Sequence, residues 1–67
     1  MNNKMTLYFC CVTDICVGLQ YGQNGDQEWL AGSSKTLPVG GCYEVPENIH
    51  PLGLTAEQLV PYAIAAA

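Results

Sequence analysis

Apolar side chains in the first third of this chain come in two blocks with different rhythms. Residues 5–12 are apolar and rich in strand formers, whereas over 15–22 Ile15, Val17, Leu19 and Tyr21 alternate with Cys16, Gly18 and Gln20. Both patterns predict strands. Asn24 and Gly25 then predict a tight type I′ hairpin turn, because both of its central positions need positive φ. A third strand should follow over 27–31. Gly32, Ser33, Ser34 and Lys35 read as a loop, the stretch through Pro38, Gly40 and Gly41 as turn-rich, and 42–45 as a short fourth strand or edge. Pro46 and Pro51 bracket an irregular extended segment expected to wrap the outside.

Near the carboxyl end the period changes. Thr55 followed by Gln58 fits a capping box, Glu57 sits where the helix dipole favours an anion, and Leu54 is placed to staple to Leu59. A helical segment is predicted over 56–66, kinked or split in two by Pro61, which lacks a backbone donor but suits the start of a new helix. Leu59, Val60, Tyr62 and Ile64 are the residues it would lay on the sheet. The sum is an α+β fold: an antiparallel meander of three to four strands with a C-terminal helical segment packed on one face. With 67 residues, 1–67 reads as one small domain whose stability is marginal without a well-packed core, a staple or a partner.

Placing Thr13 and Asp14 at the centre of the first turn sets a register. Cys11 then lies opposite Cys16, Phe9 opposite Gly18 and Tyr8 opposite Leu19, and the second turn puts Leu19 beside Leu30 and Gln20 beside Trp29. One face would carry Tyr8, Cys10, Val12, Ile15, Val17, Leu19, Tyr21 and Leu30. The other would carry Leu7, Phe9, Cys11, Cys16, Gly18, Gln20 and Trp29. Both are apolar enough that each should be covered. A three-residue first turn would slip this register and exchange the faces of strand one.

Charge narrows the functions. Lys4 and Lys35 are the only basic residues against Asp14, Asp26, Glu28, Glu44, Glu47 and Glu57. Two isolated lysines cannot neutralise a phosphate backbone or hold an anionic lipid surface, so direct nucleic-acid and membrane partners are not expected. Charged residues are only 12% of the chain and apolar ones 49%, which disfavours disorder and leaves apolar surface for a dimer or a protein target. Lys4 before the apolar run resembles a signal peptide only superficially, because the run is short and lacks a small-residue cleavage site. Bulky Phe9 likewise spoils a lipoprotein reading of Leu7 to Cys10. The expected location is the cytoplasm, that of the host cell if the chain is phage-encoded.

Catalytic and metal chemistry find little support in the residue pattern. Cys10 and Cys11 are neighbours in a strand, so their side chains point to opposite faces and cannot readily share a metal. Cys11, Cys16, Cys42 and His50 could be assembled into a zinc set, but the seven-residue gap between the last two is loose. Thiols packed as small hydrophobes are the favoured reading, with Cys11 and Cys16 either bridged or not. His50, with Glu47 three residues before it, has neither a nucleophile nor an orienting group in sequence context, so no enzyme is expected and no cofactor is implied. Gly18, Gly22 and Gly25 read as hairpin glycines and not as a phosphate loop.

The acids remain. They either keep a small protein soluble or oppose Lys and Arg on a partner, with Trp29, Phe9 or Tyr43 supplying anchoring area. The partner-binding residues expected are Asp26, Glu28 and Trp29 of the second hairpin together with Glu44 and Glu47. A short chain with no enzymatic motif, this acidic balance and a strand-rich body resembles the small phage-encoded inhibitors called anti-CRISPR proteins. The resemblance spans the whole chain in size and charge and rests on no motif. It implies binding to a subunit of a CRISPR surveillance complex or to a nuclease, blocking target DNA or a recruited effector; joined to the reading of the acids, the expected mode is occupation of a basic, nucleic-acid-binding surface in the manner of a DNA mimic, by a monomer or homodimer. The alternative is a small structural or assembly protein of a virion acting through self-association, and a third reading is a thiol-ligated metal domain.

Overall fold

The structure is a computed structural model that describes residues 2–22, 24–33 and 37–64, with the backbone alone for Asn2 and Asn3. Four antiparallel strands, β1 (Asn2–Cys10), β2 (Cys16–Tyr21), β3 (Gln27–Trp29) and β4 (Pro38–Pro46), form one sheet in the order β3-β2-β1-β4. The first three strands make the expected meander. The fourth returns to the far side of β1, which is Greek-key connectivity. A short helix α1 (Ala56–Leu59) runs directly into a 3₁₀ turn (Val60–Tyr62). The α+β architecture is therefore as expected, with the helical segment on one face of the sheet.

Register departs from expectation in both hairpins. In the first, Tyr8 pairs with Gly18 and Leu7 with Leu19, and the ladder then shifts so that Phe9 meets Cys16. The connection is a four-residue loop: Cys10 N–H bonds Ile15 O at 2.9 Å, and Asp14, at φ 60°, donates its N–H to Cys10 O. The shift leaves Val17 as an extra residue, so Cys16 and Leu19 both face the core although they are three apart. The slip against the expected pairing is one residue, and one residue exchanges the faces of β1. In the second hairpin Trp29 pairs with Gly18 and Gln27 with Gln20, and Tyr21 N–H bonds Asp26 O at 3.0 Å. This slip is two residues, so the face of β3 is preserved. Asn24 and Gly25 do not form the type I′ turn. Positive φ sits at Gly22, and Gly25 is required because a Cβ there would lie 1.9 Å from Tyr21 O.

The covered face is accordingly Met5, Leu7 and Phe9 with Cys16, Leu19 and Val45, closed by Leu59. Leu7, Leu19, Val45, Cys16 and Leu59 are fully buried. Tyr21, Tyr43, Ile49, Leu52, Leu54, Ala56 and Tyr62 pack around them. The proline-bracketed segment, expected to wrap the outside, packs Ile49 against this face and buries Pro51, and the residues after it continue the sheet past the end of β3: Cys16 N–H bonds Leu54 O at 2.8 Å and Ala56 N–H bonds Asp14 O at 2.8 Å. The capping box forms with both reciprocal bonds. Pro61 splits the helical segment, but helix does not resume after Tyr62. Ala63 is extended, bridges Tyr43, and delivers Ile64 N–H to Cys42 O at 3.0 Å. Of the four residues expected to line the sheet, Leu59 and Tyr62 do, while Val60 and Ile64 are exposed. Residues 65–67 of the expected helix lie outside the described residues.

β4 is nine residues long where four were expected. The stretch read as turn-rich is strand because its breakers occupy harmless positions. Odd-numbered residues of β4 bond to β1, so Pro38 and Pro46 sit at even positions whose N–H would face outward, where a ladder needs no donor.

Candidate functional site

The second face of the sheet bears no other element of the described chain. Reading its rows across the strands, Trp29, Gly18, Tyr8 and Gly40 stand side by side, followed by Gln27, Gln20, Thr6 and Cys42. Lys4 and Glu44 pair one row further on. The first row alternates large and absent side chains, and the alternation is a packing device. A Cβ at Gly18 would lie 2.3 Å from the benzo edge of Trp29, and one at Gly40 would lie 2.9 Å from the Tyr8 ring. Trp29 leans over the Gly18 backbone and stacks on Tyr8, with centroids 5.4 Å apart and planes at 23°. Such pairs contribute about 0.5–1.5 kcal/mol beyond their buried area. Gln27 Nε2 donates to Gln20 Oε1 at 3.1 Å, and Trp29 Nε1 reaches Gln27 Oε1 at 3.5 Å. The row holds Trp29 in one place while 47% of it stays accessible.

The expected partner-binding residues do not form one patch. Trp29 and Glu44 share the open face. Asp26 is exposed where the hairpin loop ends, and Glu47 lies in the turn after β4, both toward the end of the sheet that holds Lys4 and Glu44. Glu28 points to the opposite side from Trp29, as strand alternation demands. There Tyr21 Oη donates to Glu28 Oε2 at 2.9 Å, and His50 Nε2 of the wrapping segment stands 3.6 Å from Oε1. This hydrogen bond, then partial burial and the charge of Glu28, push the Tyr21 phenol above its usual range. Phe9 and Tyr43, the other proposed anchors, are spent on the core, where their rings pack at 5.6 Å. Tyr8, Gly18 and Gly40 were the residues missed. A glycine inside a strand pattern is the signal that marks a close approach, and Gly18, though placed in the second strand, reads in sequence only as a hairpin glycine.

Reactive groups are scattered. None of the four cysteines is in a disulfide: Cys10 and Cys16 are buried, Cys11 and Cys42 exposed. Burial pushes the Cys16 thiol up, partly offset by its bonds to the Gly18 and Tyr8 backbone. Among the described residues no three His, Cys, Asp or Glu side chains converge to hold a metal ion. A shallow cavity of about 320 Å³ lined by Lys4, Met5, Thr6, Gly22, Cys42 and Ile64 contains one amine and one thiol but no carboxylate or imidazole. No described helix is long and apolar enough to cross a membrane. The chain matches no protein-family profile, no curated protein sequence and no solved structure.

Proposed function

We propose that this chain is a non-catalytic inhibitor that acts in the cytoplasm by covering a basic surface of a protein partner, in the manner of the anti-CRISPR proteins it resembles in size and charge. The observation that carries the reading is Trp29: a large aromatic side chain pinned on the uncovered face by Gly18 and Tyr8 and left half accessible. Pre-ordered aromatic side chains are the commonest hot spots of protein interfaces, because they bury much area at little entropic cost. Glu44 lies on that face and Asp26 is exposed at the same end of the sheet, and the chain's net charge of -4 would steer encounter with a cationic surface. Glu28 contributes from the edge, and Glu47 from the turn beyond β4.

The test is protection of a targeted plasmid in cells bearing active CRISPR systems of different types. The chain should restore plasmid uptake with at least one of them, and Trp29→Ala should abolish the restoration while the purified variant stays folded. Absence of protection with every system sinks the reading. Self-association through the same face is the rival, and a stable homo-oligomer that buries Trp29 fluorescence at micromolar concentration would favour a structural or assembly role.

A further inference from the structure

We infer that the partner engages this protein by adding an extended, Lys- or Arg-bearing strand to the outer edge of β3. This rests on the proposed function for the partner's being a basic protein and goes beyond it in naming the edge and the mode.

The two edges of the sheet are finished differently. On β4 the outward main-chain groups belong to even-numbered residues. Pro38 and Pro46 have no donor there, and Cys42 O is occupied by Ile64 N–H, with Ala63 bridging Tyr43 beside it. Prolines and a covering segment are common means of blunting an edge against other strands. On β3 the inward groups belong to Asp26, Glu28 and Leu30, since Tyr21 N–H bonds Asp26 O, Leu30 N–H bonds Val17 O, and Glu28 pairs with Leu19 between them. Gln27 and Trp29 therefore direct their N–H and C=O away from the sheet. Among the described residues nothing pairs with these four groups, and all three residues of β3 are exposed. Gly53, Leu54 and Ala56 extend the sheet only beyond this point, against Asp14 and Cys16.

Charge selects the occupant. An open edge is ordinarily protected by lysine or proline, and residues 24–33 contain neither; they contain Asp26 and Glu28. A two-fold antiparallel pairing centred on β3 would set Glu28 directly opposite its own copy, and like charges in that position destabilise a sheet. A cationic residue in the same position is favoured instead. Tyr21 and His50 hold the Glu28 carboxylate at the edge on the covered side, and Trp29 stands on the open side. An added basic strand would thus meet a fixed anion on one side and an aromatic ring able to stack on a guanidinium on the other, with main-chain bonds between.

The test uses the intact chain, labelled with ¹⁵N, and an alternating valine–arginine heptapeptide at low ionic strength. Amide exchange at Gln27 and Trp29 should slow on addition of the peptide, and the valine–glutamate analogue should leave it unchanged. Gln27→Pro removes an outward donor that β2 does not use, together with the side-chain bonds to Gln20 and Trp29, so it is read against Gln27→Ala, which loses the same side-chain bonds and keeps the donor; the proline variant should bind the basic peptide about tenfold more weakly than the alanine one. Glu28→Lys serves as a second variant should the proline disturb folding, and should reverse the preference between the two peptides. Slowed exchange at Gly40 or Glu44 of β4, or no slowing at either edge, overturns the inference. The two readings fail separately: plasmid protection that Trp29→Ala abolishes and Gln27→Pro leaves intact overturns the edge mode alone. Peptide-dependent slowing at Gln27 and Trp29 without plasmid protection overturns the inhibitor reading alone.

Discussion

The two faces of the sheet are built from the same strands and differ by one position in register, yet they solve opposite problems. The covered face packs branched and aromatic side chains against the wrapping segment and helix α1, and four of its residues, with Leu59 of α1, reach full burial. The open face replaces bulk with backbone: Gly18 and Gly40 carry no side chain, and two aromatic rings lie over the space. One face is stabilised by excluding water from many side chains. The other keeps a single large ring ordered without enclosing it. For a chain of this length the division matters, because apolar area spent on an open face is withdrawn from a small core.

The sharpest way to break the comparison is to remove bulk from each side of β2. Leu19→Ala should cost about 2–5 kcal/mol, on the order of the whole stability expected at this size, and denaturant unfolding should find little folded protein. Gln20→Ala, one position along and on the open side, should change stability by under about 1 kcal/mol, because it loses exposed side-chain hydrogen bonding and no core volume. Next comes Gly18→Ala, which the open face resists for a reason of its own. The added Cβ would collide with the Trp29 ring, and thermal melts should show a loss of about 1–3 kcal/mol. In a Trp29→Ala background most of that loss should vanish, a coupling that a double-mutant cycle reads directly. If the loss persists, the glycine serves the backbone and not the ring.

Smaller effects sharpen the picture at the covers. Thr55→Ala removes the acceptor for Gln58 N–H and should cost about 1 kcal/mol in equilibrium unfolding. The smallest expected effect is at alkaline pH. Tyr21 donates to Glu28 and titrates above its usual range when folded, so the folded state holds this proton more tightly than the unfolded one. The resulting stabilisation is fully present below the ordinary tyrosine pKa of about 10 and is lost as pH rises through the folded value. Glu28→Gln should flatten that alkaline decline and bring the phenolate absorbance transition to lower pH.

The fourth strand and the first hairpin show where local reading stopped. Pro38, Gly40 and Gly41 look like turn residues, and no local rule separates them from a strand whose prolines face outward and whose Gly40 lies beneath a tyrosine from β1. Trp29 was expected as a possible anchor because an aromatic residue beside Asp26 and Glu28 is visible in sequence. Its supports, Tyr8 and Gly18, were not, since they come from two other strands. Glu28 was grouped with Trp29 by adjacency, and strand alternation separates them.

By itself the sequence determined the antiparallel meander, the capping box at Thr55, the break at Pro61 and the shortage of positive charge. These follow from local propensity, fixed backbone chemistry and composition, which need no neighbours in space. Which face of β1 became the core was decided only in three dimensions. A single extra residue at Val17 and a four-residue loop ending at Asp14 invert every side chain of a strand, and the inversion is settled by which set of residues packs against Leu59 and Val45.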